Sequence, residues 1–336
     1  MELSRTQCHN IKGYAILLIV IHNFVDHLLG IHCNEMAYLQ ANTDAFLANV
    51  VSPAVVWQLF AFVGWIGVAL FLFVSGYGLT RKYGDKPVAS GVFIKSHVIK
   101  LWKLLVPVYL LFFVIYHYVF AQDHNWQSVI AQLTFTINFL DYGKNSFLSE
   151  PGVYWFFGAI LQCYLLFLAI RRLNNRWLWL LVVLSLIFNL GVIYMADPDT
   201  MWWIRQNAFG WIAPFVMGML AARTPLKVSR RKYALLCLLS LLALAACLVI
   251  KPLAPLTEVF TIIFFVSLTG LFTWPVMTFI GVISASLFVI HPLIRMIFYN
   301  TLSGSSLSTT TMVAVYLLVT FAVSYLHHLA MKKFES

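Results

Sequence analysis

Residues 12–27 read KGYAILLIVIHNFVDH, an oily run with one histidine in its interior and a carboxylate and a second histidine at its far end. Continued to residue 31, the run is long enough to cross the roughly 30 Å hydrocarbon core of a bilayer. In lipid every backbone donor and acceptor must be satisfied within the segment, so the stretch is a helix. A buried ionisable group is costly there and normally faces protein or a water cavity, which makes His22 the first candidate for function.

The rest of the chain repeats this texture. Of its 336 residues 61% are hydrophobic and 10% charged, against an apolar share of roughly 45–50% in soluble domains. Apolar runs at about 11–31, 54–80, 99–121, 152–170, 177–195, 206–223, 232–250, 257–273, 276–299 and 310–330 predict ten transmembrane helices. Short alternating segments of a membrane barrel are absent from the sequence. The expected fold is therefore all-α and polytopic, with residues 1–336 forming one membrane-embedded domain. The first helix is expected to be retained, because its core is too long for a signal peptide and no small-residue cleavage site follows it.

Charge tests this segmentation independently. Eighteen of the 22 Lys and Arg residues fall at one side: Arg5 and Lys12 before the first span, a group from Arg81 to Lys103, Arg171 to Arg176, Arg223 to Lys232, and Lys332 with Lys333. Lys144, Arg205, Lys251 and Arg295 fall at the other. The positive-inside rule then puts both termini in the cytoplasm. The formal net charge of +10 is mostly this bias, suits contact with anionic membrane lipids, and does not argue for nucleic acid. The five cysteines show no metal-type spacing, so neither a disulfide nor a metal is expected. The two long connections, 32–53 and 122–151, both lie outside, and the second contains SVIAQLTFTINFL, read as a re-entrant or interfacial helix.

His22 lies ten residues beyond Lys12, about 15 Å along a helix, near mid-bilayer. Asp26 follows at i+4 on the same face, where it could accept a hydrogen bond from the imidazole and make the other ring nitrogen a better base. Asn23 and His27 form a second polar ridge. The same residues also fit a packed bundle in which His22 bonds a carbonyl and the others mark the wet end of the helix. In the second span, Ser75 and Tyr77 bring hydroxyls near the cytoplasmic end. Arg81, Lys82 and Lys95, with Lys100 and Lys103 one turn apart, gather charge where a soluble anion would arrive; ordinary positive-inside anchoring accounts for the same residues. Gln162 and His291 add polarity to later spans, and His291-Pro292 reads equally as a kink.

Taken in order, IKGYAILLIVIHNF, GVALFLFVSGY, KLWKLLVP, WFFGAILQCYLL, FGWIAPFVMGM and SASLFVIHPL resemble the membrane-bound acyltransferase family 3, whose bacterial members O-acylate carbohydrates. The resemblance covers most of the chain. It implies an O-acetyltransferase of the bacterial inner membrane that carries acetyl, or another acyl group, from cytoplasmic acetyl-CoA to a hydroxyl of a cell-envelope polysaccharide or glycolipid. It assigns His22 as the essential first-helix histidine and Lys100 with Lys103 as the counterpart of a paired-arginine motif for the donor; Lys12, Ser75, Arg81, Lys82 and Lys95 are further candidates for the donor site. Asn23, Tyr77 and Gln162 are candidate oxyanion donors, and His27 a substitute base. Two positions depart from the family pattern. Lysines stand for both arginines, and Asn23 occupies the place, eleven residues after the basic residue, where many members carry the histidine. The rival class is a proton-coupled transporter or exporter with His22, Asp26, His27 and His291 as a relay; a membrane subunit without chemistry is the third.

Overall fold

The computed structural model describes residues 2–30, 33–84, 86–121, 125–140, 152–225, 228–302 and 306–335. Lys144 and Lys227, which the charge reading used, lie outside them. The described chain is all-α. Its helices are α1 (Arg5–Leu29), α2 (Gln40–Ala48), α3 (Val55–Val63), α4 (Gly67–Tyr83), α5 (Ser90–Val114), α6 (Trp126–Leu133), α7 (Trp155–Ile170) and α8 (Asn175–Met195). There follow α9 (Pro198–Gln206), α10 (Ile212–Arg223), α11 (Arg230–Val249), α12 (Thr257–Leu271), α13 (Pro275–Val282), α14 (Ser284–Leu302) and α15 (Thr309–Glu335). Among the described residues eight helical stretches are long and apolar enough to cross a membrane, and α7 and the 208–223 stretch are shorter apolar helices.

α1 begins at Arg5 rather than at the apolar boundary, because Ser4 and Gln7 form a reciprocal capping box that satisfies the first donors. Gly30 ends it in the left-handed region, at φ 62°. The second apolar run is one span by length but is broken: a 3-10 turn at Gly64–Ile66 separates α3 from α4. The predicted span 276–299 is likewise two helices. Ser284 Oγ donates to the Gly281 carbonyl at 2.9 Å, competing with the helical ladder where α13 meets α14.

α1 runs through the centre. Small residues on its neighbours meet its bare backbone: a methyl at Gly67 would strike the Ala15 carbonyl, and one at Gly281 would strike the backbone of His9. α4 and α10 cross in the same way, Gly76 against Phe215 and Gly218 against Phe73. Without a hydrophobic force between helices in lipid, such close approach is what holds a bundle together.

The segment read as a re-entrant or interfacial helix forms the short helix α6. Phe113 and Trp126 rings lie 5.3 Å apart, and further along both helices Trp102 Nε1 donates to the Leu133 carbonyl at 2.7 Å. α6 thus returns antiparallel along α5. Beyond it Asn138, fully buried, donates to the carbonyls of Trp155 and Gln206, and Asn207 donates back to the Asn138 carbonyl.

Contacts sort the two ends of the bundle as the charge pattern predicts. At one end Tyr77 bonds the Leu3 backbone, Arg81 pairs with Glu2, Arg171 donates to the Lys86 carbonyl at 2.7 Å and Arg223 to the carbonyls of Arg171 and Leu173. At the other, Arg205 meets the Glu35 carbonyl and Glu258, and Trp57 donates to Thr310.

Candidate active site

His22 is buried, 3% exposed, on the face of α1 that meets the break between α3 and α4. A glycine is required there: a methyl at Gly64 would lie 2.5 Å from the His22 Cβ and 2.6 Å from the Leu18 carbonyl. Overpacking of this kind costs about 1–3 kcal/mol, and here it would displace the candidate base. Gly64→Ala is expected to leave an inserted protein whose acyl transfer falls at least tenfold; unchanged initial rates would show that His22 tolerates the shift.

The break also supplies the histidine's partner. Ala61 lies in the last turn of α3, where carbonyls run out of intrahelical donors, and His22 Nδ1 sits 2.7 Å from the Ala61 oxygen. A carbonyl only accepts, so Nδ1 carries the hydrogen, and Nε2 is the ring nitrogen left to give up or take a proton. Nε2 faces Glu35 Oε2 at 3.5 Å. The expected pairing of His22 with Asp26 is therefore corrected: the carboxylate facing the imidazole comes from the connection after α1. The ring turns across the bundle to the α3 carbonyl instead of along its own helix. Cys33 completes the group, its sulfur within 4.8 Å of the His22 and Glu35 ligand atoms; burial pushes its thiol above the usual range.

These side chains border a cavity of about 540 Å³, within the size range of small-molecule sites. Asn23, Asp26 and His27 line it, as the i+4 reading of α1 requires. So do groups the sequence reading did not assign: the rings of Trp65, Trp155, Trp202 and Phe156, the amide of Gln206 and the guanidinium of Arg295. Arg295 donates to Asn23 Oδ1 at 3.3 Å. The cavity belongs to the end of the bundle opposite the basic connections.

Other candidates lie elsewhere. Tyr77 is at the basic end, committed to Leu3. Gln162 ties Asn207 and the Ala208 amide, at 2.8 and 2.9 Å, into the polar knot around Asn138. His291 is fully buried behind the cavity residue Phe288, with Nδ1 on the Leu287 carbonyl of its own helix. Lys95, Lys100 and Lys103 are exposed along α5, Ser75 is half-buried in α4, Lys12 is half-buried in α1, and Lys82 sits over the Tyr83 ring at 5.0 Å. None of these borders the His22 cavity.

Arg205 holds the surroundings of Glu35 together. Its Nε donates to the Glu35 carbonyl at 3.0 Å, its Nη1 pairs with buried Glu258 at 2.5 Å, and its guanidinium stacks on Trp211 at 3.7 Å. The loop that carries Cys33 and Glu35 to the histidine is thereby fixed to α9 and α12.

A helical bundle of membrane-spanning length with a buried histidine opening on a ligand-sized cavity defines a polytopic membrane protein with a candidate site inside it. The chain matches the family described as an acyltransferase domain over residues 8–329, and it belongs to that family, the membrane-bound acyltransferase family 3. No curated protein and no solved structure matches it significantly.

Proposed function

We propose that this membrane acyltransferase moves an acyl group, acetyl in the first instance, from acyl-CoA bound at its basic end to a hydroxyl of a cell-envelope carbohydrate held in the His22 cavity. The observation that carries the reading is the state of His22. With Nδ1–H donated to Ala61, Nε2 is the atom able to take a proton, and it faces the cavity beside Glu35. The acceptor hydroxyl gives its proton to Nε2 as its oxygen attacks the thioester carbonyl; the imidazolium so formed is stabilised by the Glu35 carboxylate. The tetrahedral oxyanion collapses with loss of the CoA thiolate, which takes up a proton. Arg295, steadied by Asn23, is the cation on the cavity wall suited to the developing negative charge. Flat aromatic walls with interspersed amides and carboxylates suit the face and hydroxyls of a sugar.

On this reading the protein resides in a bacterial inner membrane with both termini cytoplasmic, and Lys100 and Lys103 meet the donor's phosphates. Replacing both lysines by alanine is expected to raise the donor KM about five- to thirty-fold, from ~0.5–1 kcal/mol per exposed contact, with the acceptor KM unchanged; arginine at both should restore or improve it. The decisive assay supplies labelled acetyl-CoA to one face of proteoliposomes and envelope glycans to the other. Label should appear in the glycan with one CoA released per acyl group and without a proton gradient. Glycan movement that needs a gradient and consumes no thioester would establish an exporter instead.

A further inference from the structure

We propose that His22, Cys33 and Glu35 form a zinc site whose occupation shuts off acyl transfer. The inference rests on the assignment of His22 as the base. Three electron-pair donors from two elements converge here: His22 Nε2, Cys33 Sγ and a Glu35 carboxylate oxygen all lie within 4.8 Å of one another. The Nε2–Oε2 separation is 3.5 Å, within about 0.2 Å of the roughly 3.3–3.4 Å N–O edge of a tetrahedron with Zn–N and Zn–O near 2.0–2.1 Å. With the ring neutral, the single thiol proton can satisfy one of the two facing acceptors but not both, whereas a divalent cation satisfies all three.

The support around the site is of the kind a metal site needs. Zinc-binding imidazoles almost always donate their other N–H to a carbonyl or carboxylate, and His22 Nδ1 already has the Ala61 carbonyl at 2.7 Å. Glu35 is anchored through its own carbonyl by Arg205. One nitrogen, one sulfur and one oxygen select zinc, cadmium or cobalt over magnesium or calcium, which demand six or more oxygens. The three ligands leave a fourth position toward the cavity. On binding, the thiol proton leaves to the cavity water as the Zn–S bond forms. The metal then holds the Nε2 lone pair that would take the acceptor's proton, so bound zinc and general-base catalysis exclude each other.

Cobalt(II) alone, titrated into the purified full-length protein, reads the site without any transfer reaction. One equivalent should bind with a thiolate-to-cobalt charge-transfer band, and zinc should bleach it. Cys33→Ser should abolish the band, and Glu35→Gln should weaken binding by at least about 100-fold, beyond the roughly 10–100-fold that loss of an outer partner costs. In the assay, micromolar free zinc should inhibit the unmodified protein at least tenfold, a chelator should reverse this, and the Cys33→Ser protein, compared with itself, should be insensitive. No band, or a band that survives Cys33→Ser, overturns the site. Binding at these residues without inhibition overturns the regulatory role. Binding in a protein that transfers no acyl group leaves the site standing and refutes the catalytic assignment.

Discussion

Replacing His22 with glutamine is expected to lower acyl transfer by about 10²–10⁴-fold, the usual worth of a positioned general base, without unfolding the bundle. Glutamine is the informative choice because the residue has two duties. Its Nδ1–H satisfies the Ala61 carbonyl at the end of α3, deep in the bundle, where an orphaned carbonyl costs about 1–3 kcal/mol. A glutamine amide can keep that bond but has no basic nitrogen. His22→Ala removes both and confounds chemistry with folding. Initial rates at matched amounts of monodisperse protein decide the matter; a fall of less than tenfold in His22→Gln would mean that another group takes the proton.

Arg205→Ala should cost about 3–5 kcal/mol of stability, the penalty of leaving one member of a buried ion pair without its partner. Glu258 is 4% exposed and its pairing with Arg205 is at 2.5 Å. The same change removes the donor to the Glu35 carbonyl, so transfer should fall as well. The two effects separate in the double variant Arg205→Met with Glu258→Met. Replacing a buried pair by apolar residues of similar volume is often neutral or stabilising, so thermal stability in detergent should recover. Activity should not recover, because the loop that presents Glu35 still lacks its anchor. Recovery of both would show that Arg205 acts on the fold alone.

His22 was legible because hydropathy makes an exception conspicuous: one imidazole in an apolar run needs no partner information to be noticed. Asn23, Asp26 and His27 follow from helical periodicity, and all reach the cavity. Glu35 and Cys33 do not follow. They arrive by a connection that folds back over the end of α1, and no period in IHCNEM announces that return; the tether that fixes it, Arg205, lies 170 residues away in sequence. Absence of metal-type spacing in the cysteines is equally silent about ligands drawn from a helix and a loop. Tyr77 and Gln162 show the converse. Counting residues along a span gives depth but not the azimuth of a side chain, and both are spent on backbone and amide partners away from the cavity. The breaks in the second and ninth apolar runs were hidden for a related reason: hydropathy records length, whereas a switch to 3-10 geometry or a serine competing for a carbonyl is decided by local contacts.

The crossing of α4 on α10, where Gly76 and Gly218 let main chain rest on main chain, owes nothing to water and little to ionic strength. α5, α8, α11 and α15 instead turn most of their surface outward, and lateral pressure from the surrounding lipid is a larger share of what keeps them seated. Extraction into a harsh surfactant should therefore strip the periphery before the seam. Because α5 bears Lys100 and Lys103, preparations treated this way should, on the proposed donor assignment, lose thioester affinity while the histidine chamber at the centre survives.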